Sequence, residues 1–293
     1  MFIFSRISGF LINALMQLFN NNYIITLCFF AVIIRAVTTP ISVAGQKMSA
    51  KYKRLKPQIE EIKDSGADVH EVERRLTELY DKHGVKTVNF LAGPLSSVLN
   101  FLVLVGFIKA IYQPLTYVLR LSAEEIATLA GLYNTASQTS ILSAFIQNPS
   151  LAATAIPFED YNSLFAFAMG VTKSGWDLSQ IPTAQYLLWL PILTLVVYLV
   201  KECFSVFQAW FFTRTMPTFT IVMSAVSILF TAWFAFSLPA GMCVYWSAGA
   251  VVSLAINVFR FVRKYKQKKR LQPEKVGNVF TDKEMKSPAK KSA

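Results

Sequence analysis

The apolar runs of this chain, near residues 23–44, 91–118, 183–204, 217–236 and 239–261, decide what it can fold into. Each is long enough, at about 1.5 Å of helix rise per residue, to cross a hydrocarbon core of about 30 Å. With 54% of its 293 residues hydrophobic and a formal charge of +12, the sequence lacks the balance of a soluble domain. The expected fold is an all-α polytopic membrane protein with five transmembrane helices. Cys28, Cys203 and Cys243 lie in or beside apolar runs and are too far apart in sequence for a CxxC pair, so neither a disulfide scaffold nor a zinc site is expected. The two histidines, His70 and His83, share one polar segment and read as solvated.

Residues 1–20 repeat apolar side chains at helical spacing (Ile3, Ile7, Phe10, Leu11, Ala14, Leu15, Leu18) around Arg6, Asn13 and Gln17. The stretch is short for a span and predicts an interfacial amphipathic helix. Residues 46–84 are polar, with apolar stripes at Leu55, Ile59 and Ile62 and at Val69, Val72, Leu76, Leu79 and Tyr80. Asp64-Ser65-Gly66 breaks the helix, Asp68 with Glu71 restarts it as a capping box, and Gly84 caps its end, which together predict an antiparallel helical hairpin. Residues 119–182 form a mixed loop with a second capping box at Ser122 and Glu125, expected to be partly helical and to lie on the surface. Residues 21–262 then make the five-span core, and 263–293 a basic tail, expected to be disordered beyond about residue 272.

Lys and Arg crowd the hairpin and the tail, whereas the 119–182 loop holds only Arg120 and Lys173 against Glu124, Glu125, Glu159, Asp160 and Asp177. The positive-inside rule places hairpin and tail in the cytoplasm and the loop and N-terminus outside.

Arg35 breaks the apolar character of the first span just past its middle, towards Gln46. A cation at such a depth costs about 2.5–3.5 kcal/mol on insertion scales and faces a wet cavity or a partner. Thr39, Ser42 and Gln46 follow it on the same helical face. Span two carries Ser96 and Asn100, span four Ser224, Ser227 and Thr231 (after Thr220), and span five Ser253 and Asn257. Helix packing alone would produce any one of these stripes. Four of them, with a cation that has no Asp or Glu in spans one, two, four or five to pair with and only Glu202 at the cytoplasmic end of span three nearby, predict a hydrophilic groove open to the cytoplasm. Its outer end is expected to be closed by Phe29, Phe30, Phe234 and Phe236. Lys109, in the outer half of span two, is expected to snorkel to the interface.

The chain resembles the YidC/Oxa/Alb family of membrane protein insertases from about residue 8 to 265. The resemblance rests on Ile34-Arg35-Ala-Val-Thr-Thr-Pro40 with Gln46, Leu55-Lys-Pro57-Gln-Ile-Glu60, Leu79-Tyr80-Asp-Lys-His83-Gly84-Val85, and Gly93-Pro94-Leu95 leading to Ile111-Tyr112. Leu190-Pro191-Ile192, Met216-Pro217, and Phe236-Ser-Leu-Pro239-Ala-Gly241 with Tyr245-Trp246 continue it. It departs from the family at Val85-Lys86-Thr-Val-Asn89, where an Asn-Pro step is usual, in the longer 119–182 loop, and at Lys109. The resemblance implies a positively charged groove with Arg35 as its arginine, closed to the outside and open to cytoplasm and lipid. It implies nascent membrane proteins as clients and the lipid bilayer as setting, with the Sec translocon and the ribosome, reached through the basic tail, as candidate partners. No cofactor and no enzymatic step are expected. The compact form, with no Arg- and Ser-rich leader, suggests the plasma membrane of a Gram-positive type of bacterium. A small-solute transporter or channel is the alternative, and would favour internal repeats. A membrane-embedded enzyme would need a nucleophile–base pair or clustered metal ligands within the spans.

Overall fold

The computed structural model describes residues 2–84, 92–172, 177–182, 187–214 and 218–271. The first helix, α1, is Phe2–Leu18, and a turn through Asn20 and Asn21 connects it to α2, Tyr23–Lys63. Both asparagines adopt positive φ (50° and 56°), a region that Asn tolerates better than most residues. Asn22 then caps α2, its Oδ1 accepting from the Ile25 N–H at 3.1 Å.

The first expected span and the first arm of the hairpin are one continuous helix of 41 residues. Pro40 and Pro57 lie inside it. No residue between them takes positive φ, and the intervening Lys, Gln, Met and Ala are strong helix formers. The break comes at Asp64, where Ser65 Oγ donates to the Ile62 carbonyl at 2.7 Å and Gly66 takes φ 68°. The second arm, α3, is Val69–Lys82, and Gly84 (φ 61°) follows its end. Leu55 and Ile59 are buried against Leu76, Leu79 and Tyr80. Lys51 Nζ reaches across to the His83 carbonyl at 3.4 Å. The unusual exit at 85–89 lies outside the described residues.

Asp68 stands at the N-cap of α3 but makes no side-chain capping bond, unlike the box expected with Glu71. Arg74 and Arg75 instead take the Glu71 carboxylate at 2.8–2.9 Å, and charge-assisted bonds of that kind outcompete a neutral backbone donor. The two guanidinium groups pull the Glu71 carboxyl from an ordinary 4.5 down to about 2. A depressed folded-state value stabilises α3 above pH 4.5, and that contribution is lost as the pH falls towards 2. Carboxyl carbon NMR should therefore show Glu71 still ionised at pH 3.5, and Arg74→Gln with Arg75→Gln should raise its titration midpoint.

The next helix, α4, is Ala92–Tyr112 and stops short of the 118 expected. Pro114 has no N–H to continue the ladder, and Leu115–Leu119 follow as a single π turn ended by Arg120 at φ 61°. Helix α1 lies along α4 through its small residues. Ser5, Ser8 and Gly9 are buried with Ile12, Leu15 and Met16, while Ile3, Ile7, Phe10 and Leu18 of the expected stripe face outward. The reason is backbone proximity: Gly9 abuts the Tyr117 carbonyl, and Gly106 abuts the backbone of Phe4.

Within the expected surface loop, α5 (Ala123–Leu132), α6 (Gln138–Gln147) and α7 (Phe158–Thr172) form a small bundle. The Ser122–Glu125 capping box is present in both directions, at 2.7 and 3.2 Å. Leu129, Ile141, Leu142, Phe145, Leu164 and Phe167 bury into the same core as Leu27, Phe30 and Phe107, so this segment docks on the membrane bundle. Asp177 accepts from Ser143 Oγ and Ser179 Oγ, both at 2.5 Å. The adjoining carbonyls of Leu178 and Gln180 receive the Gly241 and Ala240 N–H groups at 2.9 and 2.8 Å.

The remaining helices are α8 (Trp189–Thr213), α9 (Thr218–Ser237) and α10 (Ala240–Leu271). Among the described residues, α2, α8, α9 and α10 each contain a segment long and apolar enough to cross a membrane. The fifth expected span is α4, 21 residues long, with Phe101–Tyr112 as its described apolar part. Helix α8 extends well past the 204 expected because its apolar run continues to Phe212 and ends only at Arg214, φ 58°; α10 runs past 261 because Lys, Gln and Arg are good helix formers. The spans neighbour one another in the order α4, α2, α10, α8, α9. Helices α4 and α9 end that row, and the Tyr112 hydroxyl joins them at the loop end by donating to the Ser237 carbonyl at 3.3 Å.

Candidate functional site

Helix α2 sets Arg35 twelve residues into its apolar segment, where two cavities meet. The larger, about 340 Å³, is lined from all five spans: Ile34, Arg35 and Thr38 of α2, Val103 and Leu104 of α4, Tyr198 and Lys201 of α8. Helix α9 adds Ser227, Phe230 and Thr231, and α10 adds Tyr245 and Trp246. The smaller, about 210 Å³, lies on the hairpin side between α2 and α10. Arg35, Thr38, Thr39 and Ser42 form one wall, and Ser253, Ile256, Asn257 and Arg260 the other. Gly249 leaves space for the arginine: a Cβ there would already be in contact with Arg35 Nε at 3.4 Å.

Of the residues expected in the groove, Thr39, Ser42, Ser253 and Asn257 thus share the smaller cavity with Arg35, and Ser227 and Thr231 share the larger. Ser224 does neither. It borders an apolar cleft of about 610 Å³ between α8 and α9, beside Val206, Phe207 and Ile221. The side chains of Gln46, Ser96 and Asn100 lie outside the described residues, although all three positions are helical. Lys109 is exposed and lines neither cavity.

Sequence reasoning missed Thr38, Tyr198, Lys201 and Arg260. A signal existed for Lys201, which stands twelve residues into the apolar segment of α8, the register Arg35 has in α2. Beside it stands Glu202, the one acid that the sequence places near Arg35. Glu202 in fact takes Lys201 Nζ at 2.7 Å, with Ser224 Oγ and Ser227 Oγ donating at 2.8 and 3.3 Å. Arg35 forms no ion pair among the described residues.

Towards the loop end the larger cavity meets a block of aromatic rings. Phe30 stacks on Phe107 at 4.6 Å, and Tyr245 lies 4.2 Å from Phe107 and 5.8 Å from Phe30. Phe234 packs edge-on to Trp246 at 6.0 Å. Phe29 and Phe236, also expected in this closure, are exposed on the outside of the bundle. Beyond the rings, Tyr23, Leu27 and the Leu178 carbonyl press on Gly241, joining the docked loop to the blocked end. The site therefore offers cations, hydroxyls and an amide to a polar guest from one side, and hydrocarbon from the other.

The model of the 60Kd inner membrane protein family matches residues 14–269. The chain is also similar to "Inner membrane protein PPF-1, chloroplastic" of Pisum sativum, 26% identical over 277 residues. That match covers 92% of this chain and 55% of the relative, so the chain spans about half the length of the curated relative it matches.

Proposed function

This chain belongs to the 60Kd inner membrane protein family, the YidC/Oxa/Alb group of membrane protein insertases, and on that premise we propose that it moves short hydrophilic segments of nascent membrane proteins through the Arg35 groove. The observation that carries the reading is the meeting of a polar cavity and a larger, mixed one at a cation with no ion-pair partner among the described residues. A polar peptide segment in bare lipid loses several kcal/mol per unsatisfied backbone group. Thr38, Thr39, Ser42, Ser253 and Asn257 offer such a segment hydrogen bonds, and Arg35 offers its carboxylates a charge-assisted one.

The aromatic block of Phe30, Phe107 and Tyr245 limits leakage while the segment waits. The apolar helix that follows it leaves sideways between α4 and α9, the ends of the row, where no covalent connection bars the way. Hairpin and tail face the cytoplasm on the distribution of Lys and Arg, and α1, within residues 1–20, rests near the outer interface. The hairpin meets the client first. The tail, 263–293, draws the ribosome through RNA phosphates or rests on anionic lipid.

Depletion of the protein in a host lacking any paralogue, followed by complementation, tests the proposal. A single-span client with a short translocated tail should lose protease protection of that tail on depletion and regain it with the intact gene. Normal insertion in the depleted cells would overturn the proposal.

A further inference from the structure

Two cations occupy the larger cavity, and they are not equivalent. Lys201 and Arg35 each stand twelve residues into their helices and line the same space of about 340 Å³. The Lys201 ammonium, however, is 2.7 Å from Glu202 Oε1 and 4.4 Å from the centre of the Tyr198 ring. Side-chain exposures of 18% for Lys201 and 12% for Glu202 mark the pair as largely withdrawn from solvent. Glu202 is supported from a second helix as well, by the hydroxyls of Ser224 and Ser227 on α9. An intramembrane carboxylate with three donors is an expensive feature to keep for packing alone.

We propose that Glu202 is the resident counter-ion of the groove, holding Lys201 in a neutral pair so that Arg35, which has no ion pair among the described residues, takes the first carboxylate and Lys201 is held in reserve. A client segment with one carboxylate is bound at Arg35. A segment with two close carboxylates binds both cations, its second carboxylate displacing Glu202 from Lys201. Ser224 and Ser227 make the exchange feasible, because the released Glu202 carboxylate keeps two hydrogen bonds and is not left bare. The pair thereby sets which acidic segments the groove prefers. The inference rests on the insertase reading above, and deepens it by naming the client chemistry.

Glu202→Gln tests it, since the amide keeps the shape and the serine contacts but not the charge. The probes are two labelled peptides, one with two adjacent aspartates and one with asparagines in their place, titrated against the purified full chain in nanodiscs. Glu202→Gln should tighten the di-aspartate peptide about tenfold, the low end for a charge-assisted hydrogen bond, and leave the asparagine peptide unmoved. The same change should restore di-aspartate binding to Arg35→Ala, and Lys201→Met should abolish the restoration. No tightening, or tightening that survives Lys201→Met, overturns the proposal. If Arg35→Ala alone binds the di-aspartate peptide like the parent, the groove reading fails, while the effect of Glu202→Gln in the parent chain still decides the role of Glu202. Should Glu202→Gln fail to fold, Ser224→Ala with Ser227→Ala removes the alternative donors and should weaken di-aspartate binding several-fold; unchanged binding there overturns the proposal.

Discussion

Arg35→Ala should reduce insertion of clients with acidic translocated tails by about tenfold or more, while Arg35→Lys keeps most of it. A hydrogen bond to a charged group contributes about 1.5–3 kcal/mol, which sets the scale of the loss. The position is sensitive because Arg35 borders both cavities, so removing it takes charge from the hairpin-side mouth and from the closed interior together. Lysine restores a cation on a long stem but not the planar fork, hence a partial defect where two donors are used at once. Protease protection of the tail in depleted cells reads the effect. Clients with uncharged tails should lose much less. An equal loss for both tail types would mean that Arg35 keeps the groove hydrated and does not draw acidic cargo.

Gly170→Ala should destabilise the protein by about 2 kcal/mol or more, near the upper range for overpacking. A Cβ at this position of α7 would fall 2.1 Å from the Asn21 carbonyl oxygen and 2.8 Å from Met16 Cε. The methionine can move, but the carbonyl cannot easily follow. Asn20 and Asn21 are already at positive φ, and Asn21 N–H is tied to the Met16 carbonyl at 2.7 Å. The loop bundle would have to lift off the α1–α2 turn, carrying Phe167 away from Tyr23, whose rings are 5.9 Å apart. Thermal unfolding in detergent and steady-state accumulation both report this. Gly131→Ala is the control, since no atom lies within 4 Å of its Cβ and an exposed helical glycine gains up to about 1 kcal/mol from alanine. Equal melting temperatures for the two variants would contradict the docking of this segment.

These two sites also mark how far the sequence could be read. Lipid imposes long apolar runs and helical periodicity, so the spans, the Ser122–Glu125 cap and the polar face below Arg35 are all visible without coordinates. The outward turn of Ile3, Ile7 and Phe10 is not visible, because in a bilayer an apolar stripe can face lipid as well as protein. Nor does the pattern disclose that residues 119–182 share the membrane core, since their docking depends on backbone approach at Gly170 and on the carbonyls of Leu178 and Gln180.

The amino-acid order by itself determined that this chain is an all-helical membrane protein with a cation inside its first span, because the cost of exposing backbone and charge to hydrocarbon leaves few alternatives. Which charge is left without an ion pair among the described residues was decided by tertiary structure alone. Lys201, Glu202 and Arg35 are all plain in the sequence, but only the placement of α9, with Ser224 and Ser227 against Glu202, pairs the acid with its neighbouring lysine and leaves Arg35 facing the cavity.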